Sequence, residues 1–469
     1  MSEFTVVLNA EQINQPHKPM RNLLGIAACL LLFPASLSAQ SASEAKVWSL
    51  QDCIDYAVAN NVTLLKSRAT EESNAVDVLE AKAGWLPSLN ASVSQNLTYR
   101  PFQETGASYV NGGITSSAAD KATESGSYGV SASWTVWNGG RTKMNITNAE
   151  FTEQIAGLNT AASENTIKEQ IAQYYTQILY MTEAEKVNAE LLRQDSTICA
   201  RGEEMVAVGS MARADLAQLK AQVSQGVYDL VNIQTQIAEA KLQLKQLLEI
   251  PGSESFEVQS VDVAESQVLS VIPSKETVYE SALATRPEIQ SAKLAIEQSA
   301  LATKIARSNY YPTVSLSGSL GDSHVTGSEN SFFNQMKQNF NFGVGVSVSI
   351  PIFDNRSTKS SVERAKIAET TAQLDLQDNQ KQLYQTIETY WLNATNSQAK
   401  YVAAVSNVAS LQESYDLMRE QFNVGLKNIA ELLNARESLL SAEQTMLEDK
   451  YTAYLNRNLL NFYAGEDFK

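Results

Sequence analysis

Phe340-Asn341-Phe342-Gly343-Val344-Gly345-Val346-Ser347-Val348-Ser349-Ile350 is the stretch on which the fold turns. In an extended chain successive side chains point to opposite faces. Phe340, Phe342, Val344, Val346, Val348 and Ile350 therefore share one face, and Asn341, Gly343, Gly345, Ser347 and Ser349 share the other. Three more segments have this period. Leu89–Tyr99 sets Leu89, Ala91, Val93, Leu97 and Tyr99 against Asn90, Ser92, Ser94, Asn96 and Thr98. Ser127–Trp137 sets Tyr128, Val130, Ala132, Trp134 and Val136 against Ser and Thr. Thr313–Leu320 sets Val314, Leu316 and Leu320 against Ser315, Ser317 and Ser319. The expected strands are 87–100, 126–137, 312–321 and 339–351.

Half-buried sheets of soluble domains alternate in the same way. Three features favour a membrane wall. The polar faces are Ser, Asn, Thr and Gly with almost no charge. The length suits a tilted bilayer crossing, which takes about 9–11 residues. Trp85, Tyr99, Trp137, Tyr310, Tyr311 and Phe353 cluster at strand ends, where an interfacial belt sits. Val130, Trp134, Val344, Val346 and Val348 would then face lipid. Only helices and closed barrels cross a bilayer. Four strands cannot close, so further copies must complete the wall. Two copies give a barrel that side chains just fill, whereas three give 12 strands around a wet lumen, on the order of what a small polar inner face calls for. The expected assembly is a homotrimer set in outer-membrane lipid. The Gly/Ser/Thr/Asn-rich stretches 100–126 and 321–339 read as long external loops.

Between and after the strands the chain changes character. The prolines stand at 16, 19, 34, 87, 101, 251, 273, 287, 312 and 351, so 102–250 and 352–469 contain none. Proline-free tracts of Ala, Gln, Leu, Glu and Lys predict long helices. Asn138–Met205 and Asn355–Phe422 would each run about 100 Å. Heptad-like steps (Leu376, Leu383, Tyr390; Ile387, Ala394, Tyr401) favour coiled-coil packing. Asn138-Gly139-Gly140 and Asp354-Asn355 read as strand ends that start these helices.

The chain also repeats itself at an offset of about 216–225 residues. Trp137-Asn138-Gly139-Gly140-Arg141 resembles Phe353-Asp354-Asn355-Arg356, and Val208-Gly209…Asp215-Leu216 resembles Val424-Gly425…Glu431-Leu432. The first repeat is 40–250 and the second 274–469, with a linker or equatorial segment at 251–273.

At the N-terminus, Lys18 and Arg21 precede the apolar run Leu23–Phe33 and a small-residue end at Ala39. Residues 1–39 read as a cleaved secretory signal peptide, and Met20 as a possible start. A lipoprotein reading centres on Cys29. The later cysteines, Cys53 and Cys199, read as two buried thiols. The net charge of −16 argues against nucleic acid. With His17 in the leader, only His324 remains, which speaks against His-based catalysis and zinc sites. No phosphate-binding loop or catalytic constellation is present, and no cofactor is expected.

Taken in order, the leader, the duplicated strand pairs, the long helices, the V-G-x5-[D/E]-L turns and the opening Trp48–Ala57 segment resemble the TolC-like outer-membrane efflux proteins. The resemblance implies an α+β membrane protein, a trimeric 12-stranded transmembrane β-barrel with four strands per chain, continued by a long α-helical periplasmic barrel. It implies a passive exit duct for drugs or other small molecules, docked to a periplasmic adaptor (membrane fusion protein) and an inner-membrane transporter. A type I protein secretion duct is the alternative within the class, and a periplasmic coiled-coil scaffold is the alternative outside it. By the same resemblance the periplasmic gate lies at the two helix-turn-helix tips. Phe422 stands where a gate Tyr often sits, Lys427 where a gate Arg can sit, and Glu431 at an acidic constriction position. Asn434 replaces a second acid. In the first tip Gly209 ends a helix, Arg213 follows, and Asp215 matches Glu431; Gly425 matches Gly209. One carboxylate per chain on a three-fold axis would form a cation-favouring ring. The plainer reading of Asp215 and Glu431 is a favourable charge at a helix N-terminus.

Overall fold

A computed structural model of the protein describes residues 47–468, except 103–104, 111–112, 119–120, 253 and 329. The leader reading, with Cys29, Met20 and His17, lies outside the described residues.

The chain begins with β1 (Val47–Trp48), α1 (Leu50–Asn60) and α2 (Val62–Ala83), then β2 (Ser88–Tyr99). A short hairpin, β3 (Thr105–Val110) and β4 (Gly113–Ala118), precedes β5 (Ala122–Trp137). Next come α3 (Arg141–Ala207), α4 (Arg213–Leu247), β6 (Glu257–Val258) and α5 (Glu265–Val268). The second half runs α6 (Lys275–Thr285), α7 (Pro287–Ser308), β7 (Thr313–Val325), α8 (Phe332–Asn339), β8 (Asn341–Ser349), α9 (Ser357–Asn423) and α10 (Ile429–Tyr463).

The local starts follow from side-chain chemistry. Ser49 caps α1 in a reciprocal box with Asp52, and Asn61 accepts from Thr63 N and Leu64 N to start α2. Pro287 sits in the first turn of α7, where its missing N–H costs nothing. The two long helices are each 67 residues and share one start. Asn138 Oδ1 accepts from Thr142 N, and Asp354 Oδ2 accepts from Thr358 N. Gly139 and Gly140 then adopt φ of 69° and 80°, and Asn355 and Arg356 adopt 52° and 66°. Arg356 thus occupies the place of Gly140, not of Arg141. The repeat keeps one offset of 216 residues from these starts to the ends of α4 and α10.

The main sheet is antiparallel in the order β2-β5-β7-β8. Its register aligns Ala91, Val130 and Leu320, then Trp134, Leu316 and Val346, and it sets Val348 beside Val314. Directly opposed residues share a face, so these side chains form one continuous apolar surface. The other face carries rows such as Ser88, Ser133, Ser317 and Gly345. The Ser88 and Ser133 hydroxyls meet at 2.7 Å across it. Glycine suits the second face for steric reasons: a Cβ added at Gly345 would lie 3.2 Å from Ser317 Oγ. The connections expected as loops carry ordered elements instead, the β3–β4 hairpin and α8.

The principal core lies where α1, α2, α3, α4, α6, α7, α9 and α10 meet. Cys53, Leu64, Ile171, Leu244, Val278, Ile289, Ala394 and Leu460 are fully buried there. The parallel pair β1–β6 stitches the start of the described chain to the segment between the repeats. Of the heptad residues, Leu383, Ile387, Ala394 and Tyr401 are buried, with Leu376 and Tyr390 packed against them. Cys53 and Cys199 are buried and no disulfide joins them. No described helix is long and apolar enough to cross a membrane.

Candidate functional site: the helical tips

Both helical hairpins reverse in the same way. The α3 and α9 helices are capped at Val208 and Val424, and Gly209 and Gly425 follow with φ of 76° each. Left-handed backbone of this kind closes a helix C-terminus and favours glycine. Ser210 N and Leu426 N then donate back to Met205 O and Gln421 O.

After the second turn, Asn428 caps α10 by accepting from Glu431 N at 2.9 Å. Lys427 Nζ lies 2.5 Å from Glu431 Oε2, and both side chains remain more than a third exposed. In the first tip Arg213 opens α4 in an exposed position, and Asp215 lies in the first turn with partial exposure. Asn434 is exposed one turn beyond Glu431. Phe422 points inward instead: it is 6% exposed and packs in a second core with Cys199, Leu219, Tyr415, Leu432 and Leu439. The tip therefore leaves Arg213, Asp215, Lys427, Glu431 and Asn434 exposed or partly exposed and turns Phe422 into the joint between hairpins.

Sequence reasoning missed the buried ion pair of this region. Arg436 on α10 and Asp195 on α3 form an ion pair of 2.9 Å, with side chains 3% and 5% exposed. Arg436 also reaches Glu437 Oε1 at 2.7 Å. The Tyr415 hydroxyl and Arg436 Nε are buried nearby with no hydrogen-bond partner among the described residues. Burial raises the Asp195 carboxyl above its ordinary value, against the opposing pull of the Arg436 guanidinium. Burial and the Asp195 charge likewise push the Tyr415 phenol up. The signal was present in the pattern: Arg436 interrupts the buried series Ile429, Leu432, Leu439, and Asp195 interrupts Leu191, Cys199. Opposite charges at core positions of two coiled hairpins mark a pair. No group of three or more His, Cys, Asp or Glu side chains converges as a metal site among the described residues.

A four-stranded wall with one apolar and one small polar face, set on duplicated helices of about 100 Å, defines the class of outer-membrane channels with a helical periplasmic conduit. Residues 53–249 and 278–466 match the Outer membrane efflux protein family, and the chain belongs to that family. It is an outer-membrane efflux channel with its helical part in the periplasm. Its relatives include the outer membrane efflux protein BepC of Brucella suis, 23% identical over 91% of this chain and 86% of BepC. The alkaline protease secretion protein AprF of Pseudomonas aeruginosa is 26% identical over 42% of this chain and 41% of AprF. Among solved structures, the outer membrane protein VceC of Vibrio cholerae superposes with a TM-score of 0.73 at 18% identity, covering 90% of this chain and 97% of VceC. Family members are channels and not enzymes.

Proposed function

We propose that three copies of this chain close a 12-stranded barrel, and that the duct so formed passively passes drugs or other small molecules from an inner-membrane transporter and a periplasmic adaptor to the outside. One observation carries this reading. The sheet β2-β5-β7-β8 leaves both outer strands without a partner among the described residues while presenting an apolar face. Such edges demand a neighbour, and like copies supply it with closure. The boundaries fall into two repeats, 40–250 and 274–469, with the equatorial segment 251–273 between them. Val130, Trp134, Val344, Val346 and Val348 face lipid, and the Ser/Gly face lines the lumen.

In this reading the tips are the gate. Asp215 and Glu431 ring the axis, Lys427 and Arg213 flank them, Gly209 and Gly425 shape the turns, Asn434 borders the constriction and Phe422 seats the hairpin. Docking of the adaptor and transporter spreads the hairpins. Asp215→Cys with Glu431→Cys, cross-linked in cells, should abolish efflux, with recovery on reduction; unchanged efflux rejects the gate. The second reading, a type I protein secretion duct, is supported by the likeness to AprF. Deletion followed by assay of drug susceptibility and of the secreted proteome separates the two.

A further inference from the structure

The β7–β8 connection places an amphipathic helix on one side of the sheet. Gln335 on α8, 7% exposed, pins it to the end of β7. Its Nε2 donates to Val325 O at 3.0 Å, and its Oε1 accepts from Val325 N at 2.9 Å. Asn339 Nδ2 donates to Ser323 O at 2.6 Å. The side on which the helix lies follows from register. Val130, Tyr128 and Gly126 oppose Leu320, Asp322 and His324, so His324 projects from the apolar face. The His324 ring stacks on Tyr128 at 5.8 Å, and Phe332 meets His324 edge-on at 4.8 Å. Phe332 therefore lies on the apolar side too.

On α8 the residues Phe332, Phe333, Met336 and the following Phe340 fall on one helical arc, and Lys337 borders it. Phe333 is 82% exposed and Phe340 61%. Beside them Phe340, Val93, Val130 and Leu320 edge a shallow depression of about 330 Å³ that Ser92, Tyr128 and Asp322 also line. A helix of eight residues reaches about 12 Å, too short to cross a bilayer. Its exposed aromatic arc lies above the apolar rows of the strands, beyond a polar band of Gln95, Asp322 and His324 on the same face, at the end remote from the long helices.

We propose that α8 is an in-plane anchor lying in the interfacial layer of the outer leaflet. Phe333 and Phe340 enter the upper acyl region, and Lys337 meets anionic headgroups, the geometry that amphipathic interfacial helices adopt. The inference rests on the reading of the sheet as a lipid-facing barrel wall.

Site-directed spin labelling tests it. The full chain, with its native cysteines replaced, carries a nitroxide through Phe333→Cys, Asn334→Cys or Val346→Cys. Each variant is reconstituted in vesicles of phosphatidylcholine and phosphatidylglycerol. Power saturation then compares collisions with oxygen, which partitions into lipid, and with nickel-EDDA, which stays in water. The oxygen preference at position 333 should exceed that at 334 several-fold and fall below that at 346, as a shallower depth requires. A nickel preference at 333 with an oxygen preference at 346 overturns the anchor and leaves the barrel standing. A nickel preference at both overturns the barrel reading itself. Met336→Cys is the second probe of the arc if Phe333→Cys fails to assemble.

Discussion

Arg436 Nη2 stands 2.9 Å from Asp195 Oδ2, and this buried pair ties α10 of the second hairpin to α3 of the first. Removing Asp195 leaves the buried Arg436 with only the exposed Glu437 as a counter-charge, and breaking a buried pair costs up to about 3–5 kcal/mol. Asp195→Asn should therefore destabilise the helical region by that order and loosen the tips. Urea unfolding and hydrogen exchange at 195–215 and 422–436 would register both. Asp195→Leu with Arg436→Met should recover most of the loss, since packed apolar residues replace a buried pair at little cost. If the double variant is as unstable as Asp195→Asn, the pair does more than fill space.

The same carboxyl sets a pH dependence. Its folded pKa is raised above the ordinary 3.8, mainly by burial, so the folded chain holds the proton more tightly than the unfolded one. Its contribution to stability is present at low pH and is lost as pH rises from about 4 through the raised folded value. The stability difference between the natural chain and Asp195→Asn should therefore change across that window and level off above it. A difference flat from pH 4 upward contradicts the assignment.

Backbone strain distinguishes the two repeats. Arg356 holds a φ of 66° where its counterpart is Gly140. Left-handed backbone costs a non-glycine residue about 1–2 kcal/mol. Arg356→Gly should raise stability by up to about 1 kcal/mol, after loss of its exposed contact with Glu363. Gly425→Ala should lower it by about 1 kcal/mol, even though an added Cβ would meet nothing within 4 Å. Thermal midpoints of the purified protein measure both.

Opposite faces of one strand pair should respond oppositely to charge. Val346→Arg places a guanidinium on the apolar face and should cost about 2–4 kcal/mol of insertion if it lies near the bilayer midplane. Its neighbour on the other face, Ser317→Arg, should assemble and lower single-channel conductance. Equal assembly yields for the two variants would remove the lipid-facing assignment.

Glu431 pairs with Lys427 in a setting still open to water. Such exposed pairs contribute about 0–1 kcal/mol. Glu431→Gln should leave the thermal midpoint nearly unchanged while shifting the reversal potential of planar-bilayer currents toward lower cation preference. An unchanged reversal potential leaves Glu431 as a helix-start charge and nothing more.

The sheet was legible because a period of two survives in each strand, and the paired Ser/Gly and Val/Phe faces need no long-range information. The turns at Gly209 and Gly425 were legible because a φ of 76° leaves few alternatives to glycine. The helix α8 was not. Its polar neighbours hid the spacing of Phe332, Phe333 and Met336, and its place is fixed by Gln335 bonding to another strand. Asp195 and Arg436 were missed for a related reason. Each alone is a charge breaking an apolar stripe, and only the packing of α10 on α3 makes them partners. Phe422 was placed by resemblance at a gate Tyr position, and its burial, which depends on Tyr415 and Leu432 arriving from either side of the turn, needed the packing of α9 on α10.

The outer strands β2 and β8 each carry one unmatched row of backbone donors and acceptors. A lone chain holding that sheet has no solvent that suits it: water rejects the apolar face, and lipid rejects the unpaired edges. If copies close the barrel as proposed, folding of the strands, meeting of the copies and entry into the bilayer form a single concerted event. Its rate should rise steeply with the local density of chains, and the yield of channels should be governed by how synthesis keeps pace with assembly as much as by the stability of any one chain.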